Sequence, residues 1–546
     1  MTAASTWLYA ALAVFVIVYA VAILIEPRFG PTDDYALLST LQQGKPFPVY
    51  GPDYPFYDAR AIGRFTPLAN QELNVVARFV GADPFWYFAF NVLELLVAVG
   101  LLGAMLRRAT RSAKMVAAVI ILFMLTPGFV EVWFRMTVQE RNVFFYLSVF
   151  LFFYWLDCES AKWWKYALAL LSANVALYYK EPVFVAIGVF AGLRLLARWS
   201  HASAADRMKD GILVASAAAY IVTYLLYVAP HRGSYIYSDS YYQYFLVLPK
   251  NVLNYALFSD PIIMLLVLPM AAWRIHVFLI AKRDAPNIYD SMLFAAAGYV
   301  LVFFALNMYG LYYFLPAYVF ALPAVLHYAR SFADSGPRYW KLAVGLVAII
   351  FIVNTVPAGI NTITYTKYLG VNFNDTVEFL VSDIRARHGN DRANIFFYGV
   401  DRGGGVGVYF ILGEFLKYRG LSVDRFDLKS DVETPYLSWP LVLKPELTSS
   451  YTVFQRGELP QLQIGDYLIV TPQSEMEFDP KRPDFAEKYE LLFRTESRYY
   501  FPNINLKILA KLLVRQLIGE KGKASGLLVN SNLTKGPDYL VYLRRR

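Results

Sequence analysis

The sequence has very few cysteines and few charged residues. Cys158 is the only cysteine among 546 residues, so no disulfide can form within the chain and any part outside the cytoplasm must be held by packing alone. Asp, Glu, Lys and Arg make up 17% of the chain, whereas hydrophobic residues make up 57%. Soluble domains carry about a quarter charged residues. The composition therefore excludes an ordinary soluble protein and predicts a chain that crosses a membrane several times.

The net charge of +9 would favour nucleic acid as a partner in a soluble chain. In a membrane protein the same excess is typical of Lys and Arg in cytoplasmic loops, so we expect no nucleic acid partner. The sequence also lacks the internal repeat on which many transporters are built. The first apolar run has no basic residue before it and is long enough to span, which predicts a helix and not a cleaved signal peptide.

Apolar runs occupy most of the first 360 residues. A spanning helix needs about 20 mostly apolar residues. Eleven runs are expected to span, near residues 7–25, 84–106, 115–133, 142–157, 163–179, 182–199, 211–229, 257–277, 291–308, 311–329 and 340–357. The short fifth and sixth runs are separated by Lys180-Glu181-Pro182, where we expect a turn at a membrane surface.

Lys and Arg in the short loops predict the orientation of these spans. Most of them lie in alternate connections, such as those after residues 106 and 199, which places the amino terminus in the cytoplasm. Eleven spans then place residues 361–546 outside, together with the first loop, 26–83, in which we expect interfacial helices. We therefore predict a membrane module over 1–360 and an extracytoplasmic domain over 361–546. Alternating short apolar runs such as NIFFYGV (394–400) and DYLIV (466–470) predict an α/β fold for that domain.

Two adjacent carboxylates, Asp33 and Asp34, follow the first predicted span on the outer side. Thr32 is a suitable N-cap, and the stretch to Gly44 reads as a short helix ended by glycine. Acidic residues in a first helical turn stabilise the helix dipole, which is a structural explanation of the pair. The alternative is a functional one, because several other charged residues are predicted at the same membrane surface.

In this architecture the chain resembles the GT-C superfamily of membrane glycosyltransferases. Asp33-Asp34 stands where that family places an acidic pair after its first span, and Glu131 stands where several members carry a second acidic residue. The stretch Tyr179-Lys180-Glu181-Pro182-Val183-Phe184 is similar to the His-Lys-Glu-x-Arg-Phe signature of one branch, from which it departs at the His and Arg positions. The resemblance implies a mainly α membrane protein of about eleven spans with a soluble carboxyl-terminal domain.

The resemblance also implies a reaction. Such enzymes take a sugar from a polyprenyl phosphate and transfer it to an acceptor outside the cytoplasm, with inversion and with an Asp as general base. Asp34 is favoured over Asp33 as that base, and Asp33 would then orient the acceptor or support the helix start. Glu131 is the third catalytic residue that the resemblance implies. Lys180, oriented by Glu181, and an Arg would bind the donor phosphate. No metal ligands are predicted, although a divalent cation is compatible with the chemistry.

The phosphate-binding Arg has several candidates, each with a structural alternative. Arg60 and Arg64 would share one face of a helix, where an interfacial role is the alternative. Arg135 has structural pairing as its alternative, since Glu131, Glu140 and Arg141 lie close to it in the sequence. His231 and Arg232 open a Tyr-rich loop that suits either carbohydrate contact or the aromatic belt of a membrane interface.

We therefore predict an inner-membrane glycosyltransferase with its active site on the outer side. Its partners would be a polyprenyl-phosphate sugar, membrane lipids, and a lipopolysaccharide, cell-wall or capsule glycan, or protein acceptor. The alternative from another class is a secondary transporter of an anionic or sugar substrate. Transporters place ionisable residues near the middle of the bilayer, whereas the charges here fall at one edge.

Overall fold

We describe the protein from a computed structural model. It describes residues 3–31, 34–42, 44, 46–47, 49, 55–56, 60–61, 65–231, 262–281, 286–305, 308, 310–335, 338–398, 405–430, 451–453, 462–472, 483–517 and 535–545.

Helices dominate the part of the chain before residue 361. Apolar runs form helices in a membrane because each backbone N–H and C=O must be bonded within its own segment. In chain order the helices are α1 (Ala3–Leu24), α2 (Asp34–Gln42), α3 (Gln71–Val80), α4 (Pro84–Thr110), α5 (Ala113–Met124), α6 (Pro127–Phe134), α7 (Gln139–Glu159), α8 (Trp163–Tyr179), α9 (Val183–Arg198), α10 (Ala204–Thr223), α11 (Leu268–Ile275), α12 (Ile288–Ala305), α13 (Ala317–Ser335) and α14 (Arg338–His388). A π-helical turn, Tyr224–Val228, extends α10, and two more, Ile263–Val267 and His276–Ile280, flank α11.

Six helical segments of the described residues are long and apolar enough to cross a membrane. A seventh results if α5 and α6, which meet at an angle of 65°, form one broken span. The protein is therefore a multi-pass membrane protein. Each of the eleven predicted runs overlaps a helix, but α8 and α9 have only 17 and 16 residues. The count of eleven thus stays a prediction, and the run predicted at 311–329 begins as the 3₁₀ turn Leu311–Phe314.

Helix α14 is longer than any membrane requires. Its 51 residues extend about 76 Å, whereas the hydrocarbon layer is about 30 Å thick. It therefore continues beyond the membrane as one helix, and the predicted division between residues 360 and 361 falls inside it. That division stays a prediction. Lys367, farther along α14, donates to the carbonyls of Ile23 and Ile25 at 2.7 and 2.6 Å, which ties α14 to the end of α1.

The carboxyl-terminal part is an α/β unit, as predicted. After the short strands β1 (Pro55–Phe56) and β2 (Arg60–Ala61) of the first loop, the chain forms β3 (Ala393–Tyr398), β4 (Phe426–Ser430), β5 (Tyr451–Val453), β6 (Tyr467–Val470), β7 (Tyr489–Arg494) and β8 (Leu540–Arg544), with helices α15 (Gly405–Tyr418), α16 (Pro483–Ala486) and α17 (Leu506–Leu517). The last six strands form one sheet in the order β5-β4-β3-β6-β8-β7. Strands β3 to β6 are parallel, and β8 runs antiparallel to β6 and β7. The apolar runs predicted near 394–400 and 466–470 form the central strands.

This unit packs against the predicted outer loop 26–83. Gln42, at the end of α2, donates to the carbonyl of Glu414 in α15 at 3.1 Å. Tyr418 donates its hydroxyl to the carbonyl of Ala82, just before α4, at 2.9 Å. Asn374 of α14 donates to the carbonyl of Phe29 at 2.9 Å. The loop that carries the acidic pair is therefore bonded to α14 and α15.

A glycine in α14 makes a close approach that we expect to be essential for packing. A Cβ at Gly359 would lie 1.8 Å from the carbonyl oxygen of Leu125, at the α5–α6 break, whereas a Cβ at Gly345 of the same helix would meet nothing within 4 Å. Gly359→Ala should lower the free energy of unfolding by about 1–3 kcal/mol, as overpacking does. Gly345→Ala is the matched control and should be neutral or stabilising. Thermal unfolding in detergent measures both, and equal melting temperatures would contradict the close approach.

Candidate active site at the Asp34 end of the helices

Asp34 begins α2 and is buried, with 2% of its surface exposed. Its Oδ2 accepts a hydrogen bond from the Gly30 N–H at 2.6 Å, and its Oδ1 accepts one from the Thr137 hydroxyl at 2.8 Å. Both partners donate, which is the arrangement that suits an ionised carboxylate. Asp34 is therefore held between the end of α1 and the segment that precedes α7. Thr32 and Asp33 lie outside the described residues.

The short segment Arg135–Asn142, between α6 and the first turn of α7, is the centre of the polar contacts. We call it the hub segment. Thr137 donates a hydrogen bond to Asp34, which belongs to the first loop. Glu140 forms an ion pair with Lys180 of the α8–α9 turn. Asp34 and Lys180, which are 146 positions apart in the sequence, thus contact residues only three positions apart. We call this end of the helices the Asp34 end.

Lys180 is buried, with 5% of its surface exposed. Its ammonium forms an ion pair with Glu140 and lies 4.8 Å from the centre of the Tyr313 ring. The predicted turn at Lys180 is present between α8 and α9. The partner that orients the ammonium is Glu140, 40 residues earlier, and not the adjacent Glu181 of the prediction. A neighbour in sequence points elsewhere when the backbone is extended, as it is at Lys180.

Arg141 is the most buried cation of the hub segment, with 1% exposed. It bonds Glu94 of α4 at 2.8 Å, Glu72 of α3 at 3.1 Å and the carbonyl of Met136 at 2.6 Å. Tyr179 donates to the second oxygen of Glu72 at 3.0 Å. Burial raises the pKa of Glu72, and the Arg141 charge opposes this. The arrangement is a structural network in which one guanidinium pairs with two carboxylates, the buried Glu94 and the partly buried Glu72.

Arg135 pairs with Glu131 one helical turn earlier, at 2.8 Å. The structural pairing considered for Arg135 is thus confirmed for this partner, whereas Glu140 pairs with Lys180 of the α8–α9 turn and Arg141 pairs with residues of α3 and α4. The Arg135 guanidinium also lies 5.7 Å from the centre of the Tyr312 ring. Glu131 and Arg135 therefore belong to the same end of the bundle as Asp34.

Two tyrosines that the sequence analysis did not select cover these cations. Tyr312 and Tyr313 lie on the 3₁₀ turn Leu311–Phe314, with ring centres 4.3 Å apart. The turn packs closely on α6, since a Cβ at Gly128 would lie 2.7 Å from the Leu311 carbonyl oxygen. The aromatic run YGLYYF could have indicated these tyrosines, but most of it lies within the predicted span 311–329 and is interpreted there as part of a membrane helix. Thr137, Glu72 and Glu94 were also missed, because nothing in their local sequence identifies their distant partners.

The remaining predicted site residues are placed only in part. Arg60 lies in β2 (Arg60–Ala61), which pairs with β1 (Pro55–Phe56). The prediction of a helix that aligns Arg60 with Arg64 is therefore wrong at position 60. His231 ends the 3₁₀ turn Ala229–His231 that follows α10. Arg64 and Arg232 lie outside the described residues. Glu181 lies in the α8–α9 turn, half-buried.

The described part of the chain contains no cluster of candidate metal ligands. No group of three or more His, Cys, Asp and Glu side chains there could hold a metal ion. The acidic side chains of the site are instead engaged by cations or by neutral donors, as with Glu72, Glu94 and Glu140. The cation considered for the reaction stays a hypothesis.

Comparison with known proteins gives matches among solved structures only. No protein-family model and no curated protein matches the chain. The structure of ArnT from Cupriavidus metallidurans bound to undecaprenyl phosphate matches with 12% identity and a TM-score of 0.45, over 88% of this chain and 95% of that one. Its apo form matches with a TM-score of 0.42 and 12% identity over the same shares.

The oligosaccharyltransferase of Archaeoglobus fulgidus, in complex with zinc and sulfate, matches with 10% identity and a TM-score of 0.41, over 97% of this chain and 88% of that one. Because these identities and TM-scores are low, no residue role is transferred from those structures to this chain. The proposals below rest on its own contacts.

The buried pair of Lys180 and Glu140 should be strongly coupled. Removing one partner of a buried pair leaves an uncompensated charge and typically costs about 3–5 kcal/mol. We expect Lys180→Met and Glu140→Met each to lower stability by this order, and the double variant to lose less than either single one. A double-mutant cycle of thermal unfolding in detergent measures the coupling. The exposed pair Arg198 and Asp206, 3.7 Å apart, is the control and should couple by less than about 1 kcal/mol. Additive losses for Lys180 and Glu140 would contradict the ion pair.

Proposed function

We propose that this protein is an integral membrane glycosyltransferase that uses a polyprenyl-phosphate sugar as donor. The observation that supports it best is the convergence of a buried carboxylate, Asp34, and a buried cation, Lys180, on the hub segment. A base for the acceptor and a cation for the phosphate are the two groups that this transfer needs. The acceptor would be a lipopolysaccharide, a cell-wall or capsule glycan, or a protein.

In the proposed reaction the acceptor hydroxyl oxygen attacks the anomeric carbon of the sugar, with inversion. The bond from that carbon to the phosphate oxygen breaks, and its electron pair leaves with the polyprenyl phosphate. Asp34 takes the proton of the acceptor hydroxyl. Thr137 and Gly30 would fix the direction in which the base points.

Lys180 would stabilise the negative charge on the departing phosphate. An ammonium has three donors, so the Glu140 contact holds the group in place without exhausting it. Arg135, held by Glu131, is the second proposed phosphate ligand. Arg60 and Arg64 of the first loop are the alternatives. Asp33 would orient the acceptor or support the helix start, and Glu131 would be a further catalytic carboxylate. Glu181, His231 and Arg232 would support the site.

We further propose that the protein resides in the inner membrane with the Asp34 end on the periplasmic side. The distribution of Lys and Arg in the short loops supports this orientation. Reporter fusions after Arg107 and within 420–430 test it, with cytoplasmic and external signals expected. A cytoplasmic carboxyl-terminal part would overturn the proposed reaction, because the site would then face the wrong compartment.

Asp34→Asn tests the proposed base. The amide keeps the size and most hydrogen bonding of the carboxylate but cannot take the proton, so transfer should fall on the order of 10²–10⁴-fold. Mass spectrometry of surface glycans with and without the gene identifies the acceptor, after which transfer of labelled sugar is measured in membranes. Thr137→Val should cause a smaller loss, and Thr137→Ser, which retains the hydroxyl, is its matched control. If Asp34→Asn and Asp33→Asn both transferred sugar at the normal rate, the pair would be only a helix start.

Lys180 is tested with the double variant in which both it and Glu140 are Met. This variant removes the phosphate ligand without leaving a buried charge, so it separates donor binding from folding. We expect it to melt close to the wild type while binding of a labelled polyprenyl-phosphate sugar weakens at least about tenfold, as loss of one charged hydrogen bond of roughly 1.5–3 kcal/mol requires. Unchanged donor affinity in the folded double variant would transfer the assignment to Arg135, Arg60 or Arg64.

A further inference from the structure

Helix α17 exposes a row of leucines. Leu506, Leu509, Leu513 and Leu517 are 41%, 51%, 59% and 77% exposed. Their spacing of three or four residues places them on one face of the helix. Ile508, between them, is buried against the rest of the fold, so the helix is docked through another side. A continuous exposed apolar face of this kind marks a surface that contacts something.

The sequence of α17 is LKILAKLLVRQL, in which every charged residue is basic. Lys507, Lys511 and Arg515 recur at intervals of four residues, and the helix contains no Asp or Glu. Leucine on one face together with basic residues elsewhere is the composition of helices that lie in the boundary between lipid and water. Its cations also complement the negative charge of anionic lipid headgroups.

Contacts with α14 hold the segment just before α17 close to the predicted end of the last span. Asn361 donates to the Tyr500 hydroxyl at 2.8 Å and to the Phe501 carbonyl at 2.7 Å. Asn361 lies four residues after the predicted end of the last span, and six residues before Lys367, which bonds the carbonyls that end α1. The chain that leads into α17 therefore leaves α14 where two spans end. Ile504, 51% exposed, continues the apolar surface between Phe501 and α17.

We infer that α17 lies in the lipid–water interface at the Asp34 end, with its leucine row in the leaflet. The inference is independent of the proposed glycosyltransferase activity, because it rests on exposure, charge and position alone. The consequence is a second attachment of the α/β unit to the membrane, besides α14.

Fluorescence quenching in the full chain tests the inference. Cys158→Ser gives a background without cysteine, into which Leu513→Cys is introduced and labelled with an environment-sensitive dye. Leu491→Cys, on β7 of the same unit, is the matched control because Leu491 is 47% exposed but outside the leucine row. The probe is a nanodisc of phosphatidylcholine and phosphatidylglycerol that contains lipids with a doxyl group near the headgroup. We expect the dye at position 513 to lose most of its emission to the doxyl lipid and to resist iodide in the water, and position 491 to show the reverse.

Two results would overturn the inference. If iodide quenched position 513 as strongly as position 491, the leucine row would face water. If neither quencher reached position 513, another protein or a second copy of the chain would cover the row instead of lipid. Labelling at Leu517→Cys provides a second position, where the same quenching by the doxyl lipid is expected.

Discussion

The guanidinium of Arg141 joins three parts of the chain that are far apart in sequence. It binds Glu72 of α3 and Glu94 of α4 from the first turn of α7, and it also caps the Met136 carbonyl of its own segment. A buried charge must be paired, and the alternative to this one geometry is an uncompensated ion, which costs several kcal/mol. The start of α7 is therefore fixed relative to α3 and α4, and with it Thr137 and Glu140. The positions of Asp34 and Lys180 depend on this arrangement, since both contact the hub segment.

Aromatic rings add a second electrostatic contact to the cations that form ion pairs. Tyr312 and Tyr313 face Arg135 and Lys180, and ring faces attract cations more strongly when water is excluded. The turn that carries them can approach α6 only because position 128 is glycine. Arg135 and Lys180 thus each have both a carboxylate and an aromatic ring as neighbours. Such fixed surroundings are what an electrostatic role in catalysis requires, because the groups need not reorganise when charge develops.

The positions of most helices could be predicted from the sequence, whereas the ion-pair partners of the charged side chains could not, for one physical reason. Hydropathy and spacing are local properties, so α1, α4 and the α8–α9 turn could be located from apolar runs and from Pro182. Pairing is decided by the packing of helices, so no local pattern could show that Lys180 meets Glu140 and that Arg141 meets Glu72. The change in composition near residue 361 likewise predicted a domain boundary, although α14 continues through it. A polar sequence ends a membrane span without ending the helix, because the backbone hydrogen bonds of a helix also form in water.

For a reaction on a lipid-linked donor, the depth of the base matters as much as its chemistry. The donor phosphate is tied to the headgroup region by its tail, so a base that moved with a loop would meet it only intermittently. The Asp34 carboxylate is bonded on one side to Gly30, six residues after α1, and on the other to Thr137, two residues before α7. Both donors are thus attached by short segments to helices of the membrane module. The carboxylate is consequently fixed relative to those helices and not to the loop that supplies it, which is the condition that a base for such a donor must meet.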